Sequence, residues 1–338
     1  MSDREDSEMA DDGAPNNGIP HGYNDTNRAF LQAFMSRGTM TFEEGQTVLA
    51  AIFTAAGNNS RDPVPPAEIA REHFSHYVHA AHEILLPFDM DIRSARHQKT
   101  RERIWALVNV ESDLSTQLAT VHTPDEMAYI NRLLDLTFEK FNTQRMEIMA
   151  VEENECFKIS RPSRPRQSQA AAEEEEGQQT QGGDKALKHS EILTLLANLV
   201  AEGWLEKSRA GYYSLSPRSL MELKGWLIET YNDEDAGEGA WQPIKNCEVC
   251  KEIVTVGQRC GDPDCLTRIH DICQRSYWET RPDKKCPRCQ RVWDGKLFVG
   301  ERAVTATEAY GRSKRKSQNG RRRREEEEDD GEEHEDED

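Results

Sequence analysis

Apolar residues recur at helical spacing along most of the chain, and the breaks between them mark out five segments. Residues 1–25 hold Gly, Pro, Asn and Asp with almost no apolar partner and are expected to be disordered. A short helix follows, with Phe30, Leu31 and Phe34 on one side and Gly38 as its C-terminal stop. Thr41 and Glu44 stand at capping-box spacing and open a second helix that buries Val48, Leu49, Ile52 and Phe53. The prolines of residues 61–66 break the chain, and Pro66 suits the first turn of a third helix running to about Leu85. Two extended segments come next, around Ile92 and from Arg103 to Val110, separated by the polar stretch His97–Thr100. Three helices and then a hairpin is the order of a winged helix, here assigned to 26–122.

A second unit, 123–235, repeats the logic. Thr123, Pro124 and Glu126 form a capping box with proline at the first helical position, and the helix they open carries Met127, Ile130, Leu134 and Phe138 on one face. Another helix is expected over 144–158, with Ile148 and Val151 as its apolar positions. Residues 161–186 are low-complexity and read as a flexible, disordered insertion. A helix over 188–202 carries Ile192, Leu195, Leu196 and Leu199 and ends at Gly203. Trp204-Leu205, a polar turn ending at Gly211, and Tyr212 to Leu215 make a compact hairpin. Ser216-Pro217 opens a final helix bearing Leu220, Leu223, Leu227 and Tyr231.

Charge changes the picture only at the end of the chain. The net charge is −19, but residues 325–338 carry twelve acids and no Lys or Arg, so the remainder is −19 + 12 = −7. Residues 312–324 carry eight Lys or Arg and no acid. The whole of 301–338 is therefore read as a solvated basic-then-acidic tail. No apolar run approaches the roughly 18–20 residues of a membrane span, so no membrane partner is expected. The acidic, polar start does not resemble a secretory signal, which points to an intracellular setting where clustered thiols stay reduced and bind metal.

Seven of the eight cysteines lie within 247–289, together with His270. Cys247/Cys250, Cys260/Cys265, His270/Cys273 and Cys286/Cys289 give four ligand pairs, enough for two tetrahedral zinc ions. In a cross-brace the first and third pairs share one ion, so Cys247, Cys250, His270 and Cys273 form site one, and Cys260, Cys265, Cys286 and Cys289 form site two. Both sites are then full, and the two Zn²⁺ are structural rather than catalytic. A disulfide framework and two sequential zinc ribbons are the competing arrangements. About forty residues cannot bury enough apolar area alone, and a structural zinc adds on the order of 10–16 kcal/mol of binding energy to folding.

Seven cysteines with histidine fifth is the order of PHD fingers and of variant RINGs. A PHD finger usually places an aromatic two residues before the seventh ligand, where this chain has Lys284. Val249 inside the first CxxC, Trp278 five residues after Cys273, and Pro287 inside the last pair fit a RING that docks a ubiquitin-conjugating enzyme. The alternative for Val249 and Trp278 is packing within the small zinc core. The resulting fold class is α+β: tandem winged-helix domains followed by a C-terminal RING-like two-zinc cross-brace over 240–300.

The strings GWLEKSRAGYYSLSPRSLMELKGWLIETY, IKNCEVC, GQRC, RIHDIC and CPRCQRVW resemble the RING-like non-SMC element family of the structural-maintenance-of-chromosomes five/six complex. The match is specific over 187–293 and looser over 26–160, where LVNVESD fits. The resemblance implies a MAGE-like winged-helix partner, a kleisin subunit, the SMC five/six heterodimer and a ubiquitin-conjugating enzyme. It also implies nuclear DNA repair and recombination, and RING-type ubiquitin-ligase activity assisted by the MAGE-like partner, with no catalytic side chain of the chain's own. The residue after the last ligand is Gln290, where many active RINGs carry Arg or Lys, so a non-catalytic assembly role stays open.

Four other features of the sequence bear on function. His73, His76, His79 and His82 recur every three residues, and that step drifts about 60° per repeat, so four rings cannot surround one ion. Cys156 stands alone and reads as a small helix residue. Arg93, Arg96, His97, Lys99, Arg101 and Arg103 make the hairpin 93–103 basic, which fits DNA phosphates, a solvated wing or a protein-docking surface. Lys314, Arg315, Lys316, Arg321, Arg322, Arg323 and Arg324 fit a nuclear-import signal, or a basic tail folding onto its acidic neighbour.

Overall fold

A computed structural model describes residues 22–57, 62–110, 118, 121–161, 185–237 and 239–312. The expectations for 1–21, most of the insertion 161–186, and both basic clusters of the tail lie outside the described residues. What is described mixes helix and strand and forms two compact units: Met1–Ser94 with Ile104–Glu111, and Ala95–Arg103 with Ser112–Asp338.

In the first unit, α1 (Asp25–Arg37) leads into β1 (Thr39–Thr41) and α2 (Phe42–Ala56). Gly38 takes φ 70° and returns its N–H to the Phe34 carbonyl, which stops α1. The Thr41/Glu44 capping box forms as expected. Then come α3 (Arg71–Leu85), β2 (Met90–Arg96) and β3 (Arg103–Asn109), in a sheet of order β1-β3-β2, the residues from Ala95 to Arg103 at the hairpin's tip being counted with the second unit. Helix α3 does not start at Pro66. Pro66–Glu68 make one 3₁₀ turn, and Ile69 and Ala70 return to extended backbone before the helix begins. The cause is burial of Ile69, whose carbonyl accepts a hydrogen bond from Gln46 Nε2 at 2.8 Å. The core is aromatic: Phe74 lies edge-on to Phe30, Phe42 and Trp105 at 5.9, 5.6 and 4.8 Å.

In the second unit, α4 (Pro124–Asp135) is capped by Thr123 and Glu126 and continues into a wider turn, Leu136–Lys140, that buries Phe138. The helix expected over 144–158 is mostly absent. Only α5 (Glu153–Lys158) is helical, after β4 (Val151–Glu152). Upstream, Met149 takes φ 50° and Ile148 N–H bonds the Phe141 carbonyl, because Glu147 is drawn to Arg268 of the cysteine-rich module. Helix α6 (His189–Ala201), β5 (Leu205–Lys207) and β6 (Tyr212–Leu215) match expectation, with sheet order β4-β6-β5. The last predicted helix divides at Leu223 into α7 (Pro217–Glu222) and α8 (Lys224–Tyr231), which lets Leu223 stay buried.

The cysteine-rich module contributes β7 (Gly257–Arg259), β8 (Arg268–His270), α9 (Asp271–Glu279) and β9 (Phe298–Val299), with sheet order β8-β7-β9. That sheet continues into the helical part of the unit: Glu147 bridges Val299 in parallel, and its carbonyl accepts from Gly300 N–H at 2.8 Å. One apolar core accordingly runs from Tyr129, Leu196 and Leu227 through Ile244 to Ile269 and Val299. The described part of the expected tail, 301–312, contains a helix. Residues Arg302–Thr305 form α10, and Arg302 bonds Asp271 at 2.6 Å while lying 3.9 Å over the Phe298 ring.

Candidate metal centre

Two knuckles of the same design hold the outer ligand pairs. In each CxxC, the residue after the second cysteine takes a left-handed backbone: Lys251 at φ 61° and Gln290 at φ 59°. Each donates its N–H back to the first cysteine's carbonyl, Lys251 to Cys247 at 2.9 Å and Gln290 to Cys286 at 3.0 Å. The first cysteine's own N–H then bonds the next residue's carbonyl, Glu252 at 2.7 Å and Arg291 at 2.8 Å. This turn aims both sulfurs of a pair at one point.

The eight side chains meet in two groups of four, Cys247/Cys250/His270/Cys273 and Cys260/Cys265/Cys286/Cys289, with the ligand atoms of each group within 4.8 Å of one another. Tetrahedral zinc at about 2.0–2.3 Å places its ligand atoms roughly 3.3–3.8 Å apart. His270 Nδ1 lies 3.2 Å from Cys250 Sγ and 3.9 Å from Cys273 Sγ, and Cys260–Cys289 and Cys265–Cys286 are 3.4 and 3.5 Å apart. The donor sets, three thiolates with an imidazole and four thiolates, suit the same ion. Backbone N–H groups of Val249 and Asp262 point at the sulfurs of Cys247 and Cys260 at 3.4 and 3.5 Å, which favours thiolate. His270 Nε2 sits 3.1 Å from the Ile253 carbonyl and donates to it, leaving Nδ1 as the ligating atom.

The family model described as the Nse1 non-SMC component of the SMC5-6 complex matches residues 27–223, more than half of the chain. The chain belongs to this Nse1 family. A model described as a RING-like domain matches 247–289, the segment bounded by the first and last ligands. The Xenopus laevis protein named Non-structural maintenance of chromosomes element 1 homolog is 25% identical over 276 residues, covering 80% of this chain and 83% of its own. The Homo sapiens protein of the same name is 20% identical over 272 residues, covering 80% and 84%. A chain of a solved structure titled Nse1-Nse3-Nse4 complex superposes with TM-score 0.60 at 20% identity, over 81% of this chain and 99% of that one. At that identity the likeness concerns the fold.

On the strands that carry Arg259 and Arg268, beside the ligands Cys260 and His270 of this Nse1-family chain, lies a buried charge cluster that sequence reasoning missed. Glu147, 2% exposed, accepts two bonds from Arg268, Nε to Oε2 at 2.6 Å and Nη2 to Oε1 at 2.5 Å. Lys245 Nζ and Arg259 Nη1 lie 3.1 and 3.6 Å from the same carboxylate. Burial works to raise the Glu147 carboxyl, but the hydrogen bonds and charge of Arg268, with Lys245 and Arg259, outweigh it and hold it down to about 2. It therefore stays ionised at any pH at which thiolates hold a metal. Burial pulls the Lys245 ammonium down to about 8 against the opposing attraction of Glu147. Arg268 also donates to the carbonyls of Cys265 and Thr267 at 2.7 and 2.8 Å, so Glu147 steadies the strand that joins the two sites.

The three docking candidates are not all placed together. Pro287 is exposed and lines a shallow cleft of about 330 Å³ with Glu248, Leu266, Thr267 and Arg288. Val249 follows Glu248 on the knuckle and is 39% exposed. Neither Val249 nor Trp278 lines that cleft, and Trp278 is half-buried and packs against Tyr277 and Trp293 at 4.8 and 5.5 Å. Its larger share is therefore in the small core, one of the two alternatives raised by the sequence.

The tip of the basic hairpin is engaged by the chain's own residues. His97 Nε2 lies 2.8 Å from Glu206 Oε1, Lys99 Nζ lies 3.7 Å from Oε2, and Gln98 reaches the backbone of 253–256. On α3, His82 Nδ1 lies 2.7 Å from Asp91 and His79 Nε2 3.4 Å from Glu83, so these rings face separate carboxylates. Cys156 is fully buried, and burial pushes its thiol up to about 12, which makes it inert. Among the described residues, no helix is long and apolar enough to cross a membrane.

Proposed function

We propose that the chain is a RING-type ubiquitin-ligase subunit of a chromosome-maintenance SMC five/six complex, acting in nuclear DNA repair and recombination. The observation that carries the reading is the pair of closed four-ligand sites beside a cleft lined by Pro287, with exposed Val249 next in the chain to the lining residue Glu248. Cys247, Cys250, His270 and Cys273 hold one Zn²⁺, and Cys260, Cys265, Cys286 and Cys289 the other. When bound, the ions cross-link the loops and shape the cleft. The chain then orients a charged conjugating enzyme so that the acceptor amine attacks the thioester carbonyl, the amide forms and the enzyme's thiol leaves. The gain is positional. The two helical segments, read as tandem winged helices, bind a MAGE-like subunit that assists the activity, and a kleisin subunit and the SMC heterodimer complete the assembly. Membership of the Nse1 family and the likeness to a chain of an Nse1-Nse3-Nse4 complex support this set of partners. The exposed cations of the hairpin, Arg96, Lys99 and Arg101, leave a DNA contact as an additional role.

Discharge of ubiquitin from a charged conjugating enzyme onto free lysine tests the reading, with the zinc-loaded chain alone and with the MAGE-like partner. Val249→Ala and Pro287→Ala should each slow discharge at least about fivefold, on the order of 1 kcal/mol, with zinc content unchanged. No acceleration over the enzyme alone, with or without the partner, would favour the second reading, a non-catalytic assembly subunit. That reading draws on Gln290, a neutral amide whose Nε2 is turned to the Pro287 carbonyl at 3.2 Å.

A further inference from the structure

Gln98 sits on the turn of the β2–β3 hairpin, in the segment Ala95–Arg103 that belongs to the same compact unit as the zinc module. The turn is tightly built. His97 N–H bonds the Glu102 carbonyl at 2.7 Å, Arg101 N–H returns to the His97 carbonyl at 2.9 Å, and Arg101 takes φ 69°. The N–H groups of Lys99 and Thr100 converge on His97 Nδ1 at 3.1 and 3.2 Å, while the other ring nitrogen faces Glu206. Gln98 is thereby held out from a fixed platform.

Its amide is used at both ends. Oε1 accepts from Thr255 N–H at 3.0 Å, Val256 N–H at 2.8 Å and the Thr255 hydroxyl at 3.2 Å. Nε2 donates to the Ile253 carbonyl at 2.9 Å. These groups belong to the buried stretch between the ligands Cys250 and Cys260, where Ile253, Val254 and Thr255 are at most 5% exposed. The Ile253 carbonyl is also the acceptor for His270 Nε2 at 3.1 Å. One oxygen, with two lone pairs, therefore serves both the hairpin glutamine and the single histidine of the first site.

A histidine that ligates through Nδ1 depends on the acceptor at Nε2 for its tautomer and ring orientation. We propose that Gln98 is a positioning residue of the first metal site, clamping the Ile253 carbonyl that fixes the ring of His270. The inference rests on the reading of His270 as a ligand. It gives the hairpin turn a function distinct from phosphate binding: it is the outer support of one zinc site, supplied from more than 150 residues upstream.

The test uses the full chain loaded with cadmium, whose cadmium-113 NMR spectrum separates a three-sulfur, one-nitrogen site from a four-sulfur site. Gln98→Ala should shift or broaden only the resonance of the site containing His270. In the zinc-loaded chain, release to a chromogenic chelator from that site should speed up about tenfold, the lower end of the effect of removing outer-shell partners, with the four-cysteine site unchanged. Gln98→Glu, which keeps the acceptor oxygen but turns a second oxygen on the Ile253 carbonyl, should act on the same site. Leu196→Ala, a core truncation in the same unit, supplies the pattern of a plain loss of stability, in which both sites release faster together. Gln98 variants that follow the Leu196→Ala pattern, or that leave both resonances and rates unchanged, overturn the proposal. A wild-type spectrum without two cadmium resonances overturns the two-site reading itself, so the two failures are told apart before any variant is made.

Discussion

At the residue scale, Glu147 and Gly45 carry more than their chemistry alone suggests. Glu147 is one carboxylate facing three buried cations, so the cluster already holds excess positive charge. Forming a buried ion pair gains little over an apolar core, but removing one partner is expensive, about 3–5 kcal/mol. Glu147→Gln keeps the shape and deletes the charge. It is expected to lower the unfolding free energy by that order in urea titrations of the zinc-loaded chain, and Lys245→Met in the same background should recover part of the loss. Gly45 acts through space instead. A Cβ at this position of α2 would run into the Phe74 ring, which Phe30, Phe42 and Trp105 box in. Gly45→Ala should destabilise the first unit by about 1–3 kcal/mol, the usual range for overpacking, without changing zinc content by elemental analysis.

At the scale of elements, local chemistry was readable and long-range chemistry was not. The boxes at Thr41/Glu44 and Thr123/Glu126, the stop at Gly38 and the CxxC knuckles all complete themselves within five residues, so their patterns alone predict them. The stretch 144–152 failed because its conformation answers to partners elsewhere: Glu147 turns inward to Arg268, 121 positions away, and Met149 absorbs the turn with a left-handed backbone. Gln98 was equally opaque, since a polar residue on a hairpin tip reads as solvated until its partners at 253–256 are known. The knuckles also yield a backbone prediction. Gln290 occupies a left-handed position that disfavours β-branched side chains. Gln290→Gly should match or exceed the wild type by up to about 1 kcal/mol, and Gln290→Val should fall below it, in thermal denaturation with zinc present. Gln290→Arg, unbranched like glutamine, should fold normally and raise ubiquitin discharge if the missing cation is what limits activity.

At the scale of the whole molecule, the helical and zinc parts of the second unit cannot be treated as separable. Their apolar side chains form one core, their backbones pair at Glu147 and Val299, and Lys224 of α8 bonds Glu252 Oε2 at 2.9 Å. Removing zinc frees loops 247–289 to unfold, and Ile253, Ile269 and Val299 then leave the core they share with Leu196 and Leu227. The first unit has its own aromatic core, built from Phe30, Phe34 and Phe74. Strong chelation is therefore expected to abolish or sharply lower the melting transition of the second unit, helices included, while the first unit's transition persists. Hydrogen exchange read segment by segment distinguishes this from a purely local effect. Amides of α4 and α6 should lose protection together with those of β7 and β8, because burial of their shared core is what makes them slow to exchange. If α4 and α6 stay protected after the metal is gone, the zinc module is only an appended domain, and the continuity of core and sheet has no energetic meaning.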